Sequence, residues 1–410
     1  MKPLVEAQRE VLAAMMLLGS ETVPLSQARG RILAEDIAAP HAVPPFANSG
    51  VDGFAVRSGD LASGPVGLLI IDDVPAGRVA SRAVAEGTAI KVMTGAPLPE
   101  GADCVVMVED TTVDGERVRI EGSVPVGAHV RPRGGDVAEG VTVFFRGDRL
   151  SAAHLGVLAS LGVTEPRVAV RPTVAVISTG DEVADPATTT LTPGAIRDAN
   201  GPMLVALLQE LGADVTGPII VGDDPVALRS TLAEAVAGSD AIVTTGGVSV
   251  GDHDLVRVVL GELGSVDLWR VAMQPAKPFA FGVIDGVPLF GLPGNPVSTF
   301  VAFEQFVRPA LLRRMGATRL FRPRTRVECD EALSTDPSKT VFLRMRLIGR
   351  DGAPKVVGAG TQVSNILSAM AAADVFGVIP VGVGNIAAGE MITVEWFGNP
   401  ETRTMEEALS

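Results

Sequence analysis

A glycine-rich turn follows the apolar run AIVTT at 241–245 and reads Gly246-Gly247-Val-Ser249-Val-Gly251. Asp252-His-Asp254 comes directly after it and opens a helical pattern. Glycines let a backbone approach a ligand closely, and the N–H groups at a helix start face that ligand, so this order is typical of an anion site. The alternative is a tight turn without a ligand, and the position at the end of a sheet strand favours the anion site.

This turn and the rest of the sequence lack the patterns of three other common types of site. GVSVG at 247–251 matches the G-x-S-x-G elbow of serine hydrolases, whose triad needs a histidine well after the serine. The only histidine after Ser249 is His253, so a serine hydrolase is disfavoured. The chain has no Gly-Lys pair and no G-x-G-x-x-G after a strand, which removes a P-loop and a dinucleotide fingerprint.

Further polar turns follow other predicted strands of the same sheet. They are Ser178-Thr-Gly-Asp181-Glu182, Asp198-Ala-Asn200 and GLPGNPV at 291–297. With Asp252 and Asp254 they bring several carboxylates to one sheet edge, and such oxygens beside a phosphate-type loop suit Mg²⁺. Each aspartate alone could be a helix cap, which is the favoured interpretation for Asp198. Lys277, in QPAKPF at 274–279, could face this edge; taken alone, it would be an ordinary surface lysine.

Alternating strand and helix patterns over 173–314 predict the mostly parallel sheet that positions these turns. We expect strands at 173–178, 213–221, 241–245, 266–272 and PLF (288–290), and helices at 202–212, 223–238, 252–264 and 296–316. Short β-like runs separated by Gly, Pro and Asp predict an all-β module at 41–146 and a small barrel or sandwich at 318–397, with one helix near 364–372.

Two more helices are predicted in the first part of the chain. One covers 5–19 and ends at Gly19, and the other covers 151–161 with Ser151 as its cap. We expect these two helices to pack together in an elongated linking domain.

The composition limits partners and location. A formal net charge of −14 would repel nucleic acid and anionic membrane surfaces. No apolar run reaches the length of a membrane span and no signal peptide is evident, so a cytoplasmic protein is expected. Cys104 and Cys329 are predicted to be buried thiols, because two cysteines and four scattered histidines make no zinc set.

Eight segments in this order resemble the molybdopterin molybdenumtransferase family, which includes bacterial MoeA and the gephyrin E domain. They are PPFANSGVDGFAVR (44–57), KVMTGAPLPEGADCVVMVED (91–110), RPRGGDV (131–137), ISTGDEV (177–183), IRDANGPML (196–204), TTGGVSVGDHD (244–254), QPAKPFAFG (274–282) and GLPGNPVS (291–298).

The resemblance implies a multidomain α/β plus all-β fold whose α/β domain is similar to that of MogA and MoaB. The implied boundaries are a helical linking domain at 1–40 and 137–168, an inserted β domain at 41–136, the α/β domain at 169–316, a small C-terminal β-barrel at 317–400 and a frayed tail at 401–410. Family members are similar in forming elongated homodimers, whose cleft combines the α/β domain of one subunit with the β domain of the other.

The resemblance also implies the reaction: molybdate enters adenylylated molybdopterin with a divalent cation, Mg²⁺, and AMP is released. Other cofactor-biosynthesis proteins are conceivable partners. Implied catalytic residues are Asp52, Asp136, Glu182, Asp223, Asp254 and Lys277, and implied metal ligands are Asp252, Asp254 and Glu182. Implied substrate-binding residues are Thr94, Gly246, Gly247, Ser249, Arg270, Gln274, Pro293, Pro296, Arg344 and Ser364.

Two departures from the family pattern keep an alternative open. Family members often have Lys-Pro-Gly-Lys-Pro where this chain has Gln274-Pro-Ala-Lys277-Pro, and a hydroxyl-bearing aromatic where Phe54 stands. A catalytically weakened paralogue that acts as a cofactor-binding or scaffold protein is therefore the alternative, although such a protein would not need the carboxylates at 181–182 and 252–254. A nucleotide-dependent adenylyltransferase is disfavoured, because the MogA and MoaB adenylyltransferases carry GGTG at the glycine turn, where this chain has GGVSVG.

Overall fold

The structure is a computed structural model that describes residues 1–62, 64–247, 265–349 and 353–398. The predicted helix at 252–264 and the tail at 401–410 lie outside these residues. No helix within the described ranges is long and apolar enough to cross a membrane.

The first part of the chain contains two helices and a six-stranded sheet. The helices are α1 (Leu4–Ala13) and α2 (Ala152–Ser160), with short 3₁₀ turns at Leu25–Gln27, Ser58–Leu61 and Val108–Asp110. The strands are β1 (Ser20–Thr22), β2 (Ile37–Ala38), β3 (Asn48–Ser49), β4 (Gly53–Val56), β5 (Val66–Val74), β6 (Thr88–Val92), β7 (Cys104–Met107), β8 (Thr111–Asp114), β9 (Arg117–Ile120), β10 (Val130–Arg131), β11 (Thr142–Phe144) and β12 (Arg167–Ala169).

The sheet of the inserted region has the order β7-β4-β6-β5-β9-β8, which confirms the all-β prediction. Phe54 on β4 and Cys104 on β7 are buried in its core. β1 pairs with β12, and β2 pairs with β11. These short ladders join the segment before the inserted sheet to the segment after it. The segments that flank the insertion therefore lie together.

α1 is shorter than predicted. It ends at Ala13, and the following segment is held by a hydrogen bond from the Leu18 N–H to the Arg314 carbonyl. The buried side chains Leu4, Ala7 and Val11 belong to the core of the α/β region, whereas Leu158 of α2 belongs to a separate cluster. The predicted packing of α1 on α2 is thus wrong: the apolar stripe of α1 is buried by α/β helices. By contrast, Ser151 caps α2 as predicted.

The α/β region carries a six-stranded sheet of order β16-β13-β17-β21-β20-β18. Its strands are β13 (Thr173–Thr179), β16 (Asp214–Val221), β17 (Ala241–Thr245), β18 (Ser265–Arg270), β20 (Pro278–Ile284) and β21 (Val287–Leu292), and small ladders involve β14 (Val183–Ala184), β15 (Ile196–Arg197) and β19 (Met273–Gln274). β16, β13, β17 and β21 are parallel neighbours, while β20 runs antiparallel to both β21 and β18. The sheet is mostly parallel as predicted; β20 was not predicted as a strand.

The helices of this region are α3 (Asn200–Leu211), α4 (Pro225–Gly238), α5 (Pro296–Ala302) and α6 (Arg308–Arg314). The predicted final helix is interrupted by a π-helical segment at Phe303–Val307, which joins α5 to α6. Pro309 lies two residues after this segment, and since proline lacks an N–H group, it cannot donate an α-helical hydrogen bond to the Gln305 carbonyl.

The last region forms a small barrel. It contains β22 (Arg324–Cys329), β23 (Leu333–Ser334), β24 (Thr340–Ile348), β25 (Lys355–Gly358), α7 (Leu367–Ala371), β26 (Val375–Ile379), β27 (Asn385–Ile386) and β28 (Met391–Trp396). The order β24-β25-β22-β28-β26 closes through a second pairing between β24 and β26. The expected C-terminal barrel is confirmed, and it leaves no open edge among these five strands.

Candidate functional site

The predicted turns meet at the carboxyl edge of the α/β sheet. β13, β17 and β21 end there at Thr179, Thr245 and Leu292. A pocket of about 290 Å³ lies at this edge, and its walls include Glu182, Asn200, Gly246, Asn295 and Pro296. Ligands of open parallel sheets bind at this kind of edge.

The turn after β17 requires glycine. Gly246 has φ +88°, and a Cβ atom there would lie 2.4 Å from the Thr179 carbonyl oxygen. Gly247 also has a positive φ of 62°. Only glycine adopts both conformations without strain, so the chain passes next to β13 at the pocket wall. The predicted site residues that follow, Ser249, Asp252 and Asp254, lie outside the described residues.

The Asp198-Ala-Asn200 turn supplies two buried polar groups at the start of α3. Asp198 accepts hydrogen bonds from the Ser178 hydroxyl, at 2.7 Å, and from the Gly201 N–H in the first turn of α3, at 2.9 Å, although the N-cap position itself is Ala199. The Asn200 amide nitrogen donates to the Thr245 hydroxyl and the Gly294 carbonyl.

The Asn200 side-chain oxygen is buried and has no hydrogen-bond partner among the described residues. Because Asn200 lines the pocket, a ligand N–H or O–H group could satisfy this acceptor. The sequence analysis did not select Asn200 as a site residue, although its position in a turn at a helix start was the available signal.

Acidic residues approach the same edge, but with different roles. Glu182 lines the pocket. Asp181 instead accepts a 2.8 Å hydrogen bond from the Asp223 N–H, which joins the loops after β13 and β16. Asp223 is exposed, and the residues that line the pocket do not include it.

Of the three predicted Mg²⁺ ligands, the structure describes Glu182. Glu182 is exposed, and no hydrogen bond or ion pair from another described residue engages its carboxylate. Within the ranges that the structure describes, no group of three or more His, Cys, Asp or Glu is arranged to hold a metal ion. Glu182 is the predicted ligand that lies within these ranges, and a Mg²⁺ ion bound to it would keep several waters.

A larger cleft of about 690 Å³ lies between the α/β region and the barrel. The predicted residues Gln274, Lys277, Pro293 and Ser364 line it, and Asn295 lines both this cleft and the edge pocket. The Asn295 amide nitrogen lies 3.3 Å from the Ser364 hydroxyl and joins the two regions. The structure thus brings together predicted residues that are far apart in sequence.

The predicted arginines are not among the residues that line this cleft. Arg344 is buried, its guanidinium donates to the Thr361 carbonyl, and its Nε has no partner in the described part of the chain. Burial lowers the pKa of this guanidinium. Arg270 is exposed at the end of β18, where its carbonyl accepts a hydrogen bond from the Lys2 N–H. Arg344 lies behind Thr361 and Gln362, which do line the cleft.

Asp52, Thr94 and Asp136 lie in the inserted region, away from both cavities. One Asp52 carboxylate oxygen accepts hydrogen bonds of 2.7 Å from both the N–H and the hydroxyl of Thr94. These bonds lower the pKa of Asp52. Asp136 is exposed, and its own N–H and that of Val137 both donate to the Val43 carbonyl. The three residues are accessible, but none lines a cavity described above.

Three family models match consecutive parts of the chain: the MoeA N-terminal region (domains I and II) at 2–162, a probable molybdopterin binding domain at 175–313 and the MoeA C-terminal region (domain IV) at 326–397. Molybdopterin molybdenumtransferase 2 of Mycobacterium tuberculosis strain H37Rv is 38% identical over 404 residues, which cover 96% of this chain and 99% of the relative. This chain belongs to the molybdopterin molybdenumtransferase family.

Other members agree over nearly the whole length. The molybdopterin molybdenumtransferase of Haemophilus influenzae is 34% identical, covering 93% of this chain and 94% of the relative. A crystal structure titled as the molybdopterin biosynthesis MoeA protein from Pyrococcus horikoshii OT3 is 28% identical, covers 97% of this chain and 100% of that one, and superposes with a TM-score of 0.85. The expected family and fold class are confirmed.

Proposed function

We propose that this chain inserts molybdate into adenylylated molybdopterin and releases AMP, as the last step of molybdenum cofactor biosynthesis. The observation that carries the proposal is the junction at Asn295, which lines both the edge pocket and the lysine-bearing cleft. Family membership supports a transferase in this biosynthesis, because the relatives that match nearly the full length carry that name. A scaffold role is not favoured.

The two cavities suit different parts of the substrates. The edge pocket offers the glycine turn at Gly246, where a phosphate could approach the backbone closely, and the unpartnered Asn200 oxygen, which could accept a hydrogen bond from an N–H group of a polar heterocycle. The cleft offers the Lys277 amine, which has no hydrogen-bond or ion-pair partner among the described residues, and the Gln274 amide. A dianion such as molybdate would bind through charge-assisted hydrogen bonds there, because the net charge of −14 gives no long-range attraction.

The proposal includes Mg²⁺, AMP as product and a cytoplasmic homodimer. Glu182 with Asp252 and Asp254 would hold the metal, which would neutralise charge on the phosphate groups as AMP leaves. Removing the metal with a chelator should therefore reduce AMP release at least tenfold, and added Mg²⁺ should restore it. An unchanged rate in metal-free buffer would remove the metal from the proposal.

The enzyme itself is tested by the products. Purified protein, adenylylated molybdopterin and molybdate should yield AMP and a cofactor that activates an apo-molybdoenzyme. Lys277→Ala should lower the yield strongly, because it removes an ammonium group of the cleft, while Lys355→Ala, on the barrel surface, should not. The scaffold alternative would be favoured if the well-folded protein formed no product and failed to complement a cell that cannot insert molybdenum.

A further inference from the structure

The cleft contains a second lysine that the sequence analysis did not select. Lys339 lines the cleft together with Gln274, Lys277 and Ser364. Lys339 belongs to the barrel region, whereas Gln274 and Lys277 belong to the α/β region. Position 274 contributes only a neutral amide. Lys339 therefore adds a second cation to this cleft, in which the 274–278 segment supplies only the ammonium group of Lys277.

Backbone pairing fixes Lys339 beside that segment. β19 and β24 run parallel, with Met273 opposite Thr340 and Gln274 opposite Val341. The Thr340 N–H donates a 3.0 Å hydrogen bond to the Ala272 carbonyl. Since Lys339 directly precedes Thr340, its backbone is held at the same junction as Gln274.

The Lys339 side chain is held by a carboxylate. Its Nζ lies 2.5 Å from the Asp336 Oδ2, and Asp336 also accepts hydrogen bonds from the N–H and the hydroxyl of Ser338. The Lys339 side chain is 19% exposed. The residues that line the cleft include Lys339 but not Asp336. An ammonium group has three N–H donors, and one bond to Asp336 leaves two for a ligand.

We propose that Lys339 binds an oxyanion in this cleft, together with Lys277, and supplies the second cation that Gln274 does not. This inference rests on the proposed function. The ligand class is a tetrahedral oxyanion, which could be molybdate or a phosphate group of the adenylylated pterin. Asp336 is a positioning residue that restricts the lysine to the cleft wall.

The test compares Lys339→Gln with the wild type while each substrate is varied in turn. Loss of one charge-assisted hydrogen bond should raise the half-saturating concentration of the bound oxyanion by about tenfold. A rise for molybdate alone identifies molybdate, and a rise for the pterin nucleotide alone identifies its phosphate. Lys339→Arg should stay near the wild type because it keeps the charge. Gln274→Lys, added to Lys339→Gln, should recover much of the loss.

Lys355→Gln is the matched control, because Lys355 is also a barrel lysine paired with carboxylates, Glu328 and Asp330, but does not line the cleft. Thermal unfolding checks that each variant is folded. Unchanged half-saturation for both substrates in Lys339→Gln would overturn the inference.

A readout without turnover separates this inference from the function. Calorimetric titration of the wild type and Lys339→Gln with molybdate, and then with inorganic pyrophosphate, reports binding alone. If the wild type forms no cofactor, the proposed function fails, yet weaker binding by Lys339→Gln would still support the oxyanion site. Equal binding by both proteins would contradict it.

Discussion

At the scale of single residues, Asp52 shows how a loop aspartate is kept ionised and oriented. Both donors of Thr94 bond to the same oxygen of its carboxylate and hold its pKa below the ordinary range. A carboxyl group with a lowered pKa stabilises the fold above its unfolded pKa, and this contribution is lost as pH falls through the lower, folded pKa. Asp52 should therefore remain a fixed anion under neutral conditions.

Thr94→Val tests this arrangement, because it removes the hydroxyl donor and leaves the backbone N–H. We expect the pKa of Asp52 to rise but to stay below the ordinary value, so that its stabilising contribution becomes smaller and its loss on acidification is complete at a higher pH. A carboxyl NMR titration between about pH 2 and pH 6 would measure the change. Thr112→Val, at an exposed position of β8, is the control. An unchanged pKa of Asp52 in Thr94→Val would show that the hydroxyl contributes nothing.

Single residues also show where sequence reasoning reached its limit. Gly246 and Glu182 were predicted because turn chemistry is local and leaves a signature in adjacent residues, whereas the site role of Lys277 was predicted from the family resemblance. Lys339 was not, because only the non-local pairing of β19 with β24 brings it to the cleft. Arg344 was predicted from resemblance, yet it is buried behind the cleft wall; a motif match specifies a residue type and gives no direction for its side chain.

At the scale of elements, the π-helical segment at Phe303–Val307 joins three parts of the molecule. Glu304 receives two hydrogen bonds of 2.9 Å from Arg322. The Gln305 amide nitrogen donates to Glu395 of the barrel at 2.6 Å, and the Gln8 amide on α1 donates to Gln305. Two consecutive buried polar residues therefore point to different partners. The sequence analysis predicted one continuous helix over 296–316 and did not predict this π-helical segment.

Glu304→Gln should be strongly destabilising. The Glu304 side chain is fully buried and pairs with Arg322, whose side chain is 23% exposed, while Arg308 lies 3.8 Å away. Removing the negative charge leaves two arginines without their shared counter-ion, at a cost of about 3 kcal/mol, the low end for a broken buried pair because Arg322 is partly hydrated. The free energy of unfolding in urea would measure this loss.

The matched control is Glu121→Gln, which breaks the exposed pair with Arg119. This change should cost less than about 1 kcal/mol, because water solvates both partners. Equal effects of Glu304→Gln and Glu121→Gln would mean that the buried pair adds no stability beyond an ordinary surface contact.

At the scale of the whole molecule, the predicted site residues fall into two groups within one chain. Glu182 lines the edge pocket and Gln274, Lys277 and Ser364 line the cleft, whereas Asp52, Thr94 and Asp136 lie in the inserted region. The alternation of strands and helices was enough to predict the regions, because each region has its own periodicity. It could not predict the antiparallel β20 or the position of α1, because these depend on which core buries an apolar face.

The proposed homodimer explains how the two groups could act together, if the inserted region of one subunit faces the α/β region of the other. Mixing Asp52→Ala with Glu182→Ala under subunit exchange then yields heterodimers with one intact site and one doubly altered site. Half of the dimers are heterodimers at equal mixing, so the AMP-release rate should recover to about a quarter of the wild-type rate in a two-fold symmetric dimer. Mixing Asp52→Ala with Asp136→Ala is the control: both residues lie in the inserted region, so each site of that heterodimer lacks one of them and no recovery is expected. If confirmed heterodimers of the first pair stayed inactive, Asp52 and Glu182 would not serve one site across the subunit boundary.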